Sequence, residues 1–162
     1  KELDAFRIAY EKANLKLKKY HTKEIYSIRS TILFNLALAY QRQNNDLEAI
    51  KIILDEAIPV AKKADDKIEI ANLYRFLGLI FYNSDDLIKA DQYVYLAIKT
   101  LELKVIDNQN YTENLLEFYL FYIEILSQQN KLVDATHYLK KANKILFKYM
   151  HIIIYHRFLF LC

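Results

Sequence analysis

Glycine and proline each occur once in these 162 residues, as Gly78 and Pro59. Average usage is roughly 7% and 5%, so almost every backbone conformation that depends on them is missing. Tight hairpins take Asn-Gly, Asp-Gly or Gly-Gly at their centres because the turn needs positive φ, and the scarcity therefore argues against sheets. A phosphate-cradling loop needs several glycines to let backbone N–H groups approach the ligand, and Gly78 stands alone inside an apolar run. Helices remain. The chain is 54% hydrophobic and 14% aromatic, which supplies a continuous core at this length and excludes a disordered segment.

Polar clusters punctuate the sequence at Asn44-Asn45-Asp46, Asp65-Asp66, Asn83-Ser84-Asp85-Asp86, Asp107-Asn108-Gln109-Asn110 and Gln128-Gln129-Asn130. Asn and Asp compete with helix through their own side chains and cap the helix that follows. The runs between them predict helices over about 2–20, 24–43, 46–64, 67–83, 86–105, 111–129 and 131–149. Each run places apolar residues at three and four spacing, as in Leu33, Leu36, Ala37, Tyr40 and in Leu47, Ile50, Ile53, Leu54, Ala57. Pro59 falls inside the third run, lacks an N–H and crowds the carbonyl of Asp55, so a kink or a tightening is expected there.

One word recurs along the chain: Leu33-x-x-Leu36-Ala37-x-x-Tyr40, then Tyr74-x-x-Leu77-Gly78-x-x-Phe81, then more loosely Tyr119-x-x-Tyr122-Ile123-x-x-Leu126. Nine residues after each comes Ala49, Ala90 or Ala135, followed four later by Ile53, Val94 or Leu139. A further alanine stands seven after the first, at Ala97 and Ala142, while the first unit offers Ala57 one residue late. The N-terminal run carries Ala5, Ala9 and Ala13 at the spacing of Ala49, Ile53 and Ala57. These residues resemble the tetratricopeptide repeat (TPR) family, in which small residues let two helices approach closely while aromatics fill the gaps. The alanine periods are 44 (Ala5 to Ala49), 41 (Ala49 to Ala90) and 45 (Ala90 to Ala135), longer than the family's usual 34 and within the range of HEAT and armadillo arrays. The Leu-Gly/Ala-x-x-aromatic word favours the TPR reading, although the consensus Trp and closing Pro are absent. Long-period arrays of this kind look like those of bacterial signalling proteins, where repeats form the sensory part of a regulator.

The expected fold is an all-α solenoid of antiparallel helix pairs. A TPR-like domain would span 1–150, as an N-terminal half repeat (helix 2–20) and three repeats at about 24–64, 67–105 and 111–149, with 151–162 an apolar tail or truncated helix. The tail, Ile152 to Leu161, falls short of the roughly 20 apolar residues a membrane span needs. A chain that opens on Lys1 and holds its one methionine at Met150 is expected to be a piece of a longer one, working in the cytoplasm.

Catalytic and metal chemistry find little support in the residues. His21, His137, His151 and His156 show no His-x-x-x-His spacing, and Cys162 is the only cysteine, which rules out a multi-thiolate site. Asp65-Asp66 and Asp85-Asp86 stand at helix starts, where capping and the helix dipole account for them. No serine lies in a Gly-x-Ser-x-Gly turn. Net charge is +3 with both signs interleaved, so no broad basic face points to nucleic acid. Lys16, Lys18, Lys19, Lys23 and the row Lys140, Lys144, Lys148 fit the favourable placement of cations near helix C-termini. No enzyme, cofactor or metal is expected.

The resemblance implies that first helices line a groove. Residues off their packing stripe would face it: Phe34, Leu38, Gln41 and Arg42; then Arg75, Leu79, Tyr82 and Asn83; then Leu120, Glu124, Ser127 and Gln128. This mixed surface suits a protein segment or peptide, with arginine for a carboxylate and amides for a backbone. Two other readings stand beside it. One is self-association through the apolar C-terminal end; the other is a DNA-linked regulator whose nucleic-acid-binding part lies outside this stretch. Buried tyrosine hydroxyls should each find a partner.

Overall fold

The computed structural model describes residues 2–17, 19–105 and 111–159, and every regular element among them is helical. In chain order these are α1 (Glu2–Leu17), α2 (Lys23–Gln41), α3 (Asp46–Ile52), a π-helical segment (Ile53–Ala57), α4 (Ile58–Ala64), α5 (Lys67–Asn83), α6 (Leu87–Val105), α7 (Thr112–Gln128) and α8 (Leu132–Leu159). Each packs on its neighbour in sequence, and α2 also meets α5. The fold is an all-α solenoid. The 107–110 cluster lies outside the described residues, and α8 carries straight on to Leu159.

With glycine unavailable, asparagine and aspartate make the turns. Asn44, Asp65, Asp85 and Asn130 adopt φ of 58°, 57°, 63° and 57°, the left-handed conformation that usually closes a helix with glycine and that Asn and Asp tolerate best among other residues. The residue after each donates its N–H back across the turn: Asn45 to Tyr40 O, Asp66 to Ala61 O, Asp86 to Phe81 O and Lys131 to Leu126 O, at 2.8–3.1 Å. This six-to-one bond satisfies a terminal carbonyl. Three of those residues then cap the following helix, the side-chain oxygens of Asn45, Asp66 and Asp86 accepting from the N–H groups of Glu48, Glu69 and Lys89. The aspartate pairs therefore divide the work, the first residue ending one helix and the second starting the next.

Of the kink or tightening expected at Pro59, the tightening does not occur. It widens. The Ile58 N–H reaches Ile53 O, five residues back, and Pro59 follows in the first turn of α4. A π turn absorbs one extra residue. That accounts for Ala57 standing eight rather than seven after Ala49: the inserted residue is taken up by the wide turn, and Ala49, Ile53 and Ala57 all remain fully buried.

The small position of the repeated word is a steric requirement in the second pair. A Cβ at Gly78 would lie 2.4 Å from Val94 Cγ2 and 3.4 Å from Ala90 O, so α5 and α6 approach more closely than any side chain there would allow. Ala90, Val94 and Ala97 are fully buried beneath it. Two core clusters result. The first is built on Leu33, Ala37, Ile53, Leu73 and Leu77, the second on Val94, Ile98, Leu115, Ile125 and Leu126, and α5 contributes to both.

Candidate partner-binding face

The first helices of the pairs, α2, α5 and α7, meet one another through side chains. Ser27 Oγ donates to Asp66 Oδ2 at 2.9 Å, and Phe34 sets its edge against Phe76 with centroids 5.3 Å apart. Between α5 and α7 the Arg75 guanidinium lies over the Phe118 ring at 5.5 Å. Tyr82 meets Phe121 edge-on at 5.4 Å, donates its hydroxyl to Glu124 Oε1 at 2.6 Å and accepts from Gln128 Nε2.

The groove residues named from the sequence fall in several different settings. Phe34 and Leu38 are half-buried and packed against the first core cluster, which makes them floor rather than rim. Tyr82, Glu124 and Gln128 come together as one hydrogen-bonded cluster linking α5 to α7. Leu79 and Leu120 are 37% and 50% exposed, apolar and available to a partner. Arg75 is half-buried, with its Nε inaccessible and without an acceptor in range, so stacking holds it. Gln41 is half-buried; Arg42, Asn83 and Ser127 are exposed, and the Ser127 hydroxyl returns to Ile123 O at 2.7 Å.

Sequence reasoning missed what holds the buried tyrosines. Tyr119 donates to Glu102 Oε1 at 2.8 Å, and Lys141 reaches the same oxygen at 2.7 Å. Tyr122 donates to Asp91 Oδ1 at 2.6 Å, with Lys131 on the other oxygen at 2.5 Å. Tyr10 donates to Glu56 and accepts from Arg29 Nη2 at 3.1 Å. In each trio a tyrosine on one helix meets a carboxylate on another and a cation beside it, so these hydroxyls have the partners that burial demands. Burial and the facing carboxylates push the Tyr119 and Tyr122 hydroxyls far up, and burial carries Tyr138 up to about 12. For Glu102, burial raises the carboxyl, but the bonds from Lys141 and Tyr119 outweigh it and hold it below its usual value. Glu69 goes the other way: burial, then the neighbouring Asp66 charge, raise it.

The aspartates at 65 and 66 border an open cleft of about 640 Å³ that also includes Lys23, Lys67 and Tyr111. Lys23 and Lys67 stand 3.7 and 3.4 Å from the Asp65 carboxylate, and Asp66 caps α5, so their charges are committed to structure. Among the described residues no group of three His, Cys, Asp or Glu could hold a metal ion, and no helix is long and apolar enough to cross a membrane.

No protein-family model and no curated protein matches the chain. Solved structures do. The crystal structure of the apo form of RapI superposes with a TM-score of 0.66 at 17% identity, over 91% of this chain and 52% of that one. That of BtubC (BKLC) from P. vanneervenii does so with a TM-score of 0.62 at 18% identity, over 90% of this chain and 58% of that one. The likeness is one of fold, and the chain spans little more than half the length of either structure.

Proposed function

We propose that this chain is a non-catalytic binding module of the TPR kind, residues 1–150 forming the array, which holds a protein segment or peptide against the α2–α5–α7 face as the sensory or scaffold part of a larger bacterial regulator. The observation that carries the reading is the presence on that face of exposed Leu79 and Leu120 together with the Tyr82–Glu124–Gln128 cluster. Apolar anchors beside fixed polar groups are what an oriented peptide requires. Likeness of fold to RapI, a structure described in its apo form, is compatible with a binding role.

A displayed random-peptide library selected on the full chain tests it. Enriched peptides should bind in solution with micromolar affinity and lose at least about tenfold on Leu79→Glu or Leu120→Glu, each a buried-charge penalty at an apolar contact. Enriched peptides indifferent to both changes would remove this face as the site, and an unchanged affinity on Arg75→Ala would take that arginine out of it. Self-association through α8 is favoured by Val133 and Phe147, 85% and 69% exposed. Light scattering on the full chain and on Phe147→Glu decides that reading, which requires a multimeric mass that the substitution reduces.

A further inference from the structure

The first helices α2, α5 and α7 hold equivalent places in the array, and their charges differ. Aligning Tyr74–Phe81 with Tyr119–Leu126 puts Glu113, Glu117, Glu124 and Gln128 of α7 where α5 has Ile68, Asn72, Leu79 and Asn83. One repeat earlier the same positions are Ser27, Thr31, Leu38 and Arg42 on α2. Acidic residues occupy this stripe on α7 alone. Their spacing of four and seven sets all three glutamates on one side of the helix, and each is exposed. Helix α7 contains no lysine, arginine or histidine, and neither Glu113 nor Glu117 has a cationic partner among the described residues.

The stripe stays open inside the array. On α5, Arg75 and Tyr82 are the residues that turn to α7, while Ile68, Asn72, Leu79 and Asn83 remain at least partly exposed although α7 follows. Accessibility of the equivalent residues on α7 therefore does not depend on what comes after it in the chain.

Hydrogen bonding at the end of the stripe carries the same sign. An ionised carboxylate only accepts, so the Tyr82 hydroxyl donates to Glu124 Oε1, and Gln128 turns its amide nitrogen to the phenol oxygen. The second carboxylate oxygen of Glu124 and the amide oxygen of Gln128 are left to accept. Two acceptors gathered around one phenol suit the donor fork of a guanidinium. Arg75, the cation that the sequence offered for a partner's carboxylate, is instead stacked on Phe118.

We propose that the segment held on the α2–α5–α7 face is cationic, its arginine or lysine side chains on Glu113, Glu117 and the Glu124–Gln128 pair and its apolar residues on Leu79 and Leu38. The inference rests on the reading of that face as a binding site, and adds the partner's charge and direction. With three glutamates on α7 and Arg42 at the matching position of α2, the basic end of the segment lies over α7.

The test is fluorescence anisotropy of the full chain with two designed peptides of about ten residues, long enough when extended to cross helices packed roughly 8–10 Å apart. Both carry leucines in one half; the other half carries arginines in the first peptide and glutamates in the second. The arginine peptide should bind in the micromolar range and at least about tenfold tighter than the glutamate one, with an affinity that falls as salt rises. Glu117→Lys should weaken it at least about tenfold with helicity unchanged. Glu11→Lys, the same change of net charge at the surface of α1, should leave it as it is. Failure of the arginine peptide to bind, equal binding of the two peptides, or equal losses on Glu117→Lys and Glu11→Lys overturns the proposal. Peptides selected from the displayed library separate this inference from the reading beneath it. If they are lost on Leu79→Glu but carry no excess of lysine and arginine, the face stands and the cationic partner falls; if they are indifferent to both Leu79→Glu and Glu117→Lys, the face falls with it.

Discussion

The α5–α6 and α7–α8 pairs are written with the same word and close differently. In the first, Gly78 admits Val94 to a fully buried seat. In the second, Ile123 holds the small position, and Leu139, four residues after Ala135 as Val94 is after Ala90, is 46% exposed. Ala135 and Ala142 stay buried on either side of it. The pair is held instead by aromatic contact, Tyr138 packing on Tyr122 and Tyr119 at centroid distances of 4.8 and 5.6 Å. One residue at the crossing thus decides whether two helices lock by close approach or by rings laid between them.

The largest effect should follow from filling the tight crossing. Gly78→Leu drives a side chain into Val94 and Ala90, and overpacking of this kind typically costs 1–3 kcal/mol, occasionally more; about 3 kcal/mol is expected by urea unfolding. Ile123→Leu at the matching position should stay within about 1 kcal/mol, as volume-conserving swaps usually do. Next come the facing residues. Val94→Ala empties a closed site and should cost roughly 2 kcal/mol, while Leu139→Ala, already half in water, should cost less than about 1 kcal/mol. Equal costs at 94 and 139 would break the comparison.

Smaller effects separate the polar clamps. Tyr122→Phe leaves Asp91 with Lys131 alone, and Tyr119→Phe leaves Glu102 with Lys141 and Lys99; each should lower stability by about 1 kcal/mol. The pH dependence sharpens the same point. Glu102 has a lowered carboxyl pKa in the fold, so its stabilisation is present above the unfolded value and is lost as pH falls through the folded one. Glu69 has a raised one, so its contribution is full below the unfolded value and is lost as pH rises through the folded one. Comparing unfolding from pH 3 to 7, Glu102→Gln should flatten the acid-side loss and Glu69→Gln should reduce the decline toward neutrality, by a few tenths of a kcal/mol.

Much of this architecture was legible in the spacing of apolar residues, because helix stripes and the Ala37 and Gly78 positions write their packing role directly into the chain. The turns were half legible. Asp66 and Asp86 read as caps, but the left-handed role of Asp65 and Asp85 depends on a backbone angle that composition alone does not specify. The one-residue delay of Ala57 was visible as an anomaly beside Pro59, yet the π turn that resolves it is a choice among backbone responses. On the candidate face, Tyr82, Glu124 and Gln128 could be placed on the same side of their helices. Their meeting, and the stacking of Arg75 on Phe118, depend on the spacing between α5 and α7, which no single helix encodes. The alanine stripe on α1 was in the sequence as Ala5, Ala9 and Ala13; that α1 packs on the first core cluster through Leu3, Phe6 and Tyr10 instead required the fold.

The most direct test of the close-approach account is a double-mutant cycle at Gly78 and Val94, read by urea unfolding. Gly78→Ala should destabilise despite the roughly 1 kcal/mol that alanine gains over glycine in a helix, and Val94→Ala should do so by its cavity. In Gly78→Ala/Val94→Ala the new methyl occupies the space the valine vacates, so the double variant should be more stable than the sum of the two by at least about 1 kcal/mol. Additivity within about 0.5 kcal/mol would mean that the two residues do not share the crossing, and would contradict the account.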